Sequence, residues 1–225
     1  MRARILSFIC CFCLLLATFI TVIDFWCFNR EFYRLEYSQL NTAEHIGMSE
    51  EDLEKTTDVL LGYLKDRDLT LDFQASVKGE MREIFNKREK DHMVDVRELY
   101  LNAINVRNIA AGISAFCLVA LVVLKDTKQL YRSYLKVLGV FGLFFLFVAA
   151  FCIIDFDSFW TGFHHIFFAG NDLWLLDPRT DILIMMVPGK FFFDLCVSIV
   201  FTVVVIMLLY LVILKIIDRK VLNRC

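Results

Sequence analysis

Two separated stretches carry the residue types that proton-transfer chemistry needs. Residues 162–181 read GFHHIFFAGNDLWLLDPRTD, which sets His164 and His165 among aromatic side chains, with Asn171, Asp172, Trp174 and Asp177 close behind. Far upstream, FNKREKDHMVDVRELY places His92 one helical turn from both Glu89 and Asp95. A carboxylate at that spacing can fix the tautomer and orientation of an imidazole, as a general acid–base requires. Helical spacing puts His164 and Phe168 on one face and points His165 elsewhere. Apolar surroundings push an imidazole toward its neutral, basic form, and an adjacent acid opposes this. The plainer reading of either histidine alone is a packed side chain held by a carboxylate. Two His-plus-acid clusters instead suggest acid–base chemistry on a substrate at lipid depth, or a metal site. Glu89, His92 and His164 are the conceivable ligands, since Glu-x-x-His is a usable pair. No HExxH exists on one helix, so the expectation is no metal and no cofactor.

The elements that must hold these clusters are legible in the composition. The chain has 225 residues, is 58% hydrophobic and contains 23 Phe but only 9 Gly and 2 Pro, which favours helices in a bilayer. A net charge of -2, without a basic stretch interleaved with aromatics, argues against a nucleic-acid partner. Four stretches suit a hydrocarbon core about 30 Å thick: 5–28, 105–124, 137–154 and 191–217. Arg2 and Arg4, then Lys125, Lys128, Arg132 and Lys136, then Lys215, Arg219, Lys220 and Arg224 fall on one side of such an arrangement. The positive-inside rule makes that side cytoplasmic, with both termini on it and a cytoplasmic loop at 125–136. Residues 29–104 and 155–190 are then extracytoplasmic. The expected fold class is an all-α integral membrane protein, with four transmembrane helices, a mainly helical extracytoplasmic domain and an interfacial or re-entrant segment before the last helix. The first segment reads as an uncleaved anchor, because bulky aromatics follow it and no A-x-A-like exit is present. Most cysteines, Cys225 and Cys27 apart, lie inside spans, so they form no disulfide framework.

In the first outer region, Ser49 and Asp52 form a capping box, and Leu53, Thr57, Leu60, Leu61 and Leu64 follow as one apolar stripe. LTLDFQASVKG alternates and ends in a turn at Lys78-Gly79, consistent with an extended segment or hairpin. A helix then runs from about Glu80 toward the second span, with Phe85, Glu89, His92, Val96, Leu99 and Ala103 on its packed face. At 1.5 Å per residue a straight helix would raise His92 about 20 Å above Asn105, so it must tilt or break for the histidines to meet, or the apolar core must begin nearer Leu99. The second outer region is too apolar for a solvated loop, and Asp177-Pro178 should start a turn. Arg107 begins the second span, where a charge is costly unless it is paired or hydrated; it could hold a lipid phosphate or ester oxygen, or pair with Asp24 or Asp194.

Four blocks together resemble a known family: FYRLEY at 32–37, GMSEEDLEKTTDVLLGYL, FNKREKDHMVDVRELY and FHHIFFAGNDLWLLDPRTDILI. The chain resembles the bacterial integral membrane lipoprotein intramolecular transacylases nearly end to end. The resemblance implies four transmembrane helices, an outward domain and diacylglyceryl-modified bacterial lipoproteins as substrates. It also implies that the sn-2 acyl chain moves to the α-amine of the same cysteine, giving the lyso-form. It aligns His164, not His165, with the histidine of FHxxFF, and His92 with that of HMxDVR. An acid is expected after Pro188, before the paired Phe, and here Gly189-Lys190 stand instead.

On this reading His164 is the main base and acid, and His92, set by Asp95 or Glu89, assists proton transfer or polarises the carbonyl; the two roles could be exchanged. Direct transfer needs no acyl-enzyme, although an acyl-His intermediate is also open. Asp172 and Asp177 support the site. Asn171, Arg107 and amides of the 162–172 turn could meet the oxyanion, and Arg107, Tyr37 and Trp174 are the expected substrate contacts. Membrane lipid is the other expected partner, and the expected state is a monomer. The competing readings are a non-catalytic lipid- or peptide-binding membrane protein and a metal-dependent membrane hydrolase.

Overall fold

Apolar length sets the architecture. In the computed structural model, which describes residues 2–222, four helices are long and apolar enough to cross a bilayer. They are α1 (Arg2–Cys27), α5 (Lys87–Val123), the helix α6 (Leu130–Ile154) with a short 3-10 turn at Thr127–Gln129 before it, and α9 (Gly189–Leu222). Between them come α2 (Arg30–Leu40), α3 (Thr42–Ile46), α4 (Glu50–Leu64), α7 (Phe156–Phe167) and α8 (Ile182–Met186). A hairpin of β1 (Gln74–Val77) and β2 (Glu80–Glu83) precedes α5. Arg224 and Cys225 lie outside the described residues.

The chain divides into two units. The first comprises α1, α5 from Ala103 onward, α6, and α9 from Cys196 onward. Its outward residues are large and apolar, including Phe116, Leu143 and Phe201, as lipid-facing helices require. Two of its polar side chains find partners within it. The Tyr134 hydroxyl donates to the Met207 carbonyl at 2.6 Å, and Trp26 Nε1 donates to Thr202 Oγ1 at 3.0 Å. α6 starts at Leu130, inside the stretch expected as a loop, because Leu130, Ser133, Tyr134 and Val137 give it a buried face at i, i+3, i+4 and i+7.

The second unit takes residues 27–102 and 155–195. Ser49 Oγ accepts the Asp52 amide at 3.0 Å, opening α4, whose Leu53, Thr57, Leu60 and Leu61 are buried. Lys78 and Gly79 both have positive φ (54° and 84°), the type I′ geometry that suits a two-residue hairpin. Glu80–Glu83 is therefore strand, and the helix expected from Glu80 begins only at Lys87. The later start comes from Asn86: its Oδ1 accepts the Glu89 amide at 3.1 Å, while Glu89 Oε2 accepts the Asn86 amide at 2.7 Å, a reciprocal capping box.

Glu89 does more than cap. Only 1% exposed, it also accepts the amide of Leu183 in α8 through Oε1 at 2.7 Å. Asn86 Nδ2 donates to Asp181 Oδ1 at 2.9 Å, and Asp181 Oδ2 accepts the Asp177 amide at 2.8 Å. This polar knot ties the 177–183 segment to the start of α5. Replacing Glu89 with Ala should strip two backbone donors of their acceptor, one of them buried, and cost about 3 kcal/mol. Thermal unfolding of the purified variant checks this, and an unchanged midpoint would contradict the clamp.

Candidate active site

The capping box fixes the phase of α5, and that phase buries Glu89 and His92 on one face, with Phe85 buried just ahead of the helix. From the other side, α7 starts where Asp155 Oδ1 accepts the Ser158 amide at 3.0 Å, and it presents His164 and then Phe168 on its buried face. The two imidazoles meet inside the second unit with ring centroids 6.1 Å apart, each 7% exposed. α5 is nonetheless unbroken from Lys87 to Val123. Phe168 packs on both imidazoles, at 5.3 Å from His92 and 5.6 Å from His164. Trp174 stacks on His164 at 4.8 Å and 28°, and Trp160 meets it edge-on at 4.9 Å. His165 is exposed and touches Trp174 edge-on at 5.3 Å.

The hydrogen bonding of His164 settles its tautomer. Nδ1–H donates to the Trp160 carbonyl, four residues earlier, at 2.7 Å. A carbonyl can only accept, so in the neutral ring Nε2 carries the lone pair. Burial lowers the His164 pKa, against an opposing pull from the Trp160 carbonyl. The effect on His92, in the part of α5 outside the apolar span, is larger. Burial first and then the neighbouring His164 bring it down to about 4, with Asp95 opposing and Arg88 assisting. Both rings are thus held as free bases at neutral pH. His92 Nδ1 is buried with no hydrogen-bond partner.

The carboxylates near His92 are committed elsewhere. Glu89 serves the two backbone amides described above, so it neither orients His92 nor stands free as a metal ligand. Asp95 Oδ2 accepts from Asn171 Nδ2 at 2.8 Å, and Asn171 Oδ1 in turn accepts the Leu173 amide at 3.0 Å. Asp172 pairs with Arg88, Nη2 to Oδ1, at 3.1 Å. Asp177 is chelated by Arg179, which holds its carboxyl down to about 2, and it makes no contact with either imidazole. Tyr37 is in the core, its hydroxyl 2.9 Å from Thr57 Oγ1 and its ring against Tyr33 and Phe191. Arg107 belongs to the other unit, where it pairs with Asp24 at 3.1 Å. Of the expected substrate contacts, Trp174 is the one placed against an imidazole.

Beside Phe168 lies a cavity of about 350 Å³, lined by Asp95, Glu98, Asn102, Phe167, Gly170 and Asn171 among others. Three residues of this unit were not singled out from the sequence. Trp160 supplies the acceptor for His164, and Arg88 holds Asp172. Glu36, inside FYRLEY, is buried with Oε2 unpartnered, and burial together with the nearby Asp194 raises its pKa. At the departure after Pro188, Lys190 pairs with Asp194. The i−4 spacing of Trp160 to His164 and of Arg88 to His92 was the available signal for the first two.

A histidine kept neutral by burial makes stability depend on pH. The folded His92 binds its proton only near pH 4, whereas the unfolded one does so near 6.5. The unfolded state therefore takes up more protons between those values, and stability falls as pH drops from about 6.5 toward 4. His92→Leu should lose less of its unfolding midpoint between pH 7 and pH 5 than the parent. Equal losses would contradict a neutral, buried His92.

The family model described as lipoprotein intramolecular transacylase Lit matches residues 8–192. Among solved structures, the membrane integral lipoprotein intramolecular transacylase Lit from Bacillus cereus superposes with a TM-score of 0.81 at 19% identity, covering 99% of this chain and 97% of that one. A variant of the same protein with a histidine changed to arginine gives 0.77 at 19% identity, over 100% and 95%. Another, with a histidine changed to alanine, gives 0.75 at 20% identity, over 97% and 94%. No match was found among curated proteins. These structures share the fold of a multi-pass membrane protein, and the family match over most of the length is decisive: the chain belongs to the lipoprotein intramolecular transacylase family.

Proposed function

We propose that this chain moves the sn-2 acyl chain of a diacylglyceryl-modified bacterial lipoprotein to the α-amine of the same cysteine, with His164 Nε2 as general base and acid. The observation that carries the reading is the His164 Nδ1–H bond to the Trp160 carbonyl, in a ring buried beside His92, which leaves Nε2 as a lone pair. Family membership supports the reaction class. The chain acts on its substrate in a membrane, with both termini cytoplasmic and the histidine pair extracytoplasmic; the distribution of Lys and Arg supports that orientation.

The steps follow from the acidities. An α-amine titrates near 8, so its neutral form must attack the sn-2 ester carbon. As the N–C bond forms the nitrogen becomes cationic and strongly acidic, and an imidazole of lowered pKa then suffices to take its proton. The same nitrogen of His164 returns the proton to the glyceryl oxygen as the C–O bond breaks, leaving an amide and a free sn-2 hydroxyl. Nucleophile and ester share one molecule, so the site needs only to hold them together. His92, neutral and with Nδ1 unpartnered, offers its ring to the carbonyl oxygen or to proton transfer. Asn171 gives one amide N–H to Asp95 and keeps its second for the developing oxyanion.

Fragmentation mass spectrometry of a reporter lipoprotein N-terminus tests this directly. Precursor and lyso-form have equal mass, so the fragment that locates the acyl chain is the readout. The intact chain should place one acyl group on nitrogen, and His164→Ala should slow transfer by about 10²–10⁴-fold. The rate should climb with pH toward about 8 as the amine deprotonates, with no histidine limb above 6.5. A free α-amine with the intact chain would favour a binding protein. A gain of one acyl mass would mean an outside donor. Loss of activity with a chelator, restored by metal, would favour a metallohydrolase.

A further inference from the structure

From Ala169 to Asp181 the backbone is non-repetitive, held locally by short turns such as Leu173 to Asn171 and Leu175 to Asp172. Two side chains of α5 secure it from outside, on either side of His92. Asp95, three residues after His92, takes the Asn171 amide; Arg88, four residues before it, takes Asp172 twice, through the carboxylate and through the backbone carbonyl. Two residues beyond Asp172, Trp174 lies flat on His164.

Resting on the transacylase reading, we propose that Arg88 is a positioning residue, which holds the 169–174 segment so that Trp174 keeps the His164 ring in register with His92. A partly exposed ion pair adds little stability by itself, so its value lies in placement. Arg88 Nε is buried and without a partner, a state that a residue kept only for helix stability would not need. The guanidinium also stands where its charge disfavours protonation of His92. Losing it would both loosen the segment and leave the Asp172 carboxylate uncompensated.

The test uses the full chain labelled with 5-fluorotryptophan, whose three ¹⁹F resonances are assigned by single Trp→Phe variants. In Arg88→Met the Trp174 resonance should move toward its solvent-exposed position while that of Trp26, in the other unit, stays put. Arg88→Lys, which keeps the charge, should restore the resonance in part. Acyl transfer should fall about tenfold to a hundredfold in kcat with less change in KM, as a small misplacement of reacting groups predicts. If Arg88→Met does not fold, Asp172→Asn removes the charged acceptor with the arginine in place and should shift the same resonance. An unmoved Trp174 resonance in either folded variant would overturn the proposal. A moved resonance in a chain whose parent transfers no acyl group would sink the transacylase reading while leaving the positioning role standing.

Discussion

The site depends on one buried carboxylate. Glu89 gives both oxygens to backbone amides, of Asn86 and of Leu183, residues far apart in sequence. The first bond sets where α5 begins, and hence that His92 faces inward; the second holds the approach to α9 against that same turn. A buried charge of this kind is costly, and it persists because each oxygen meets a donor. Asp181 adds a second layer by bridging Asn86 and Asp177. Glu89 and Asp181 are thus spent on local backbone geometry, and Asp95 on the Asn171 side chain, so neither imidazole hydrogen-bonds to them.

The surroundings of the two rings bear on the proposed chemistry. Two imidazoles at 6.1 Å, enclosed by Phe168, Trp160 and Trp174, disfavour charge on both rings at once and lose the hydration that would stabilise either. A catalytic His–carboxylate couple would raise the base's pKa. Here the acceptor for His164 is a neutral carbonyl, which fixes the tautomer without adding charge. A weak base is enough when the proton to be removed sits on a nitrogen already bonded to the ester carbon. Asp95, which opposes the lowering of the His92 pKa, is itself turned toward Asn171.

Much of this was legible in the sequence because it is local. The spans follow from apolar length, and the burial of Glu89 and His92 on one face follows from helical spacing, whereas Phe85 is buried ahead of the helix. His164 and Phe168 share a face as the same spacing requires. What was not legible is whom each polar group meets. Asp95 and Glu89 stand equally close to His92 along the helix, and both would be expected to serve it. Their actual partners, Asn171 and the Leu183 amide, come from a segment that only the tertiary fold brings near. The start of α5 depends on pairing as well: Glu80–Glu83 suits a helix by composition, but the Lys78-Gly79 turn pairs it with Gln74–Val77, and the Asn86–Glu89 cap then begins the helix at Lys87.

The proposed chemistry requires His164 to be a neutral imidazole with its proton on Nδ1. Nitrogen-15 NMR of histidine-labelled protein at pH 7 reads protonation and tautomer together, with His164→Gln assigning the signal. The ring should be neutral, Nδ1 protonated and Nε2 bare, and should stay so as the pH is lowered through 6.5. A charged imidazolium at pH 7, or a proton resident on Nε2, would contradict it.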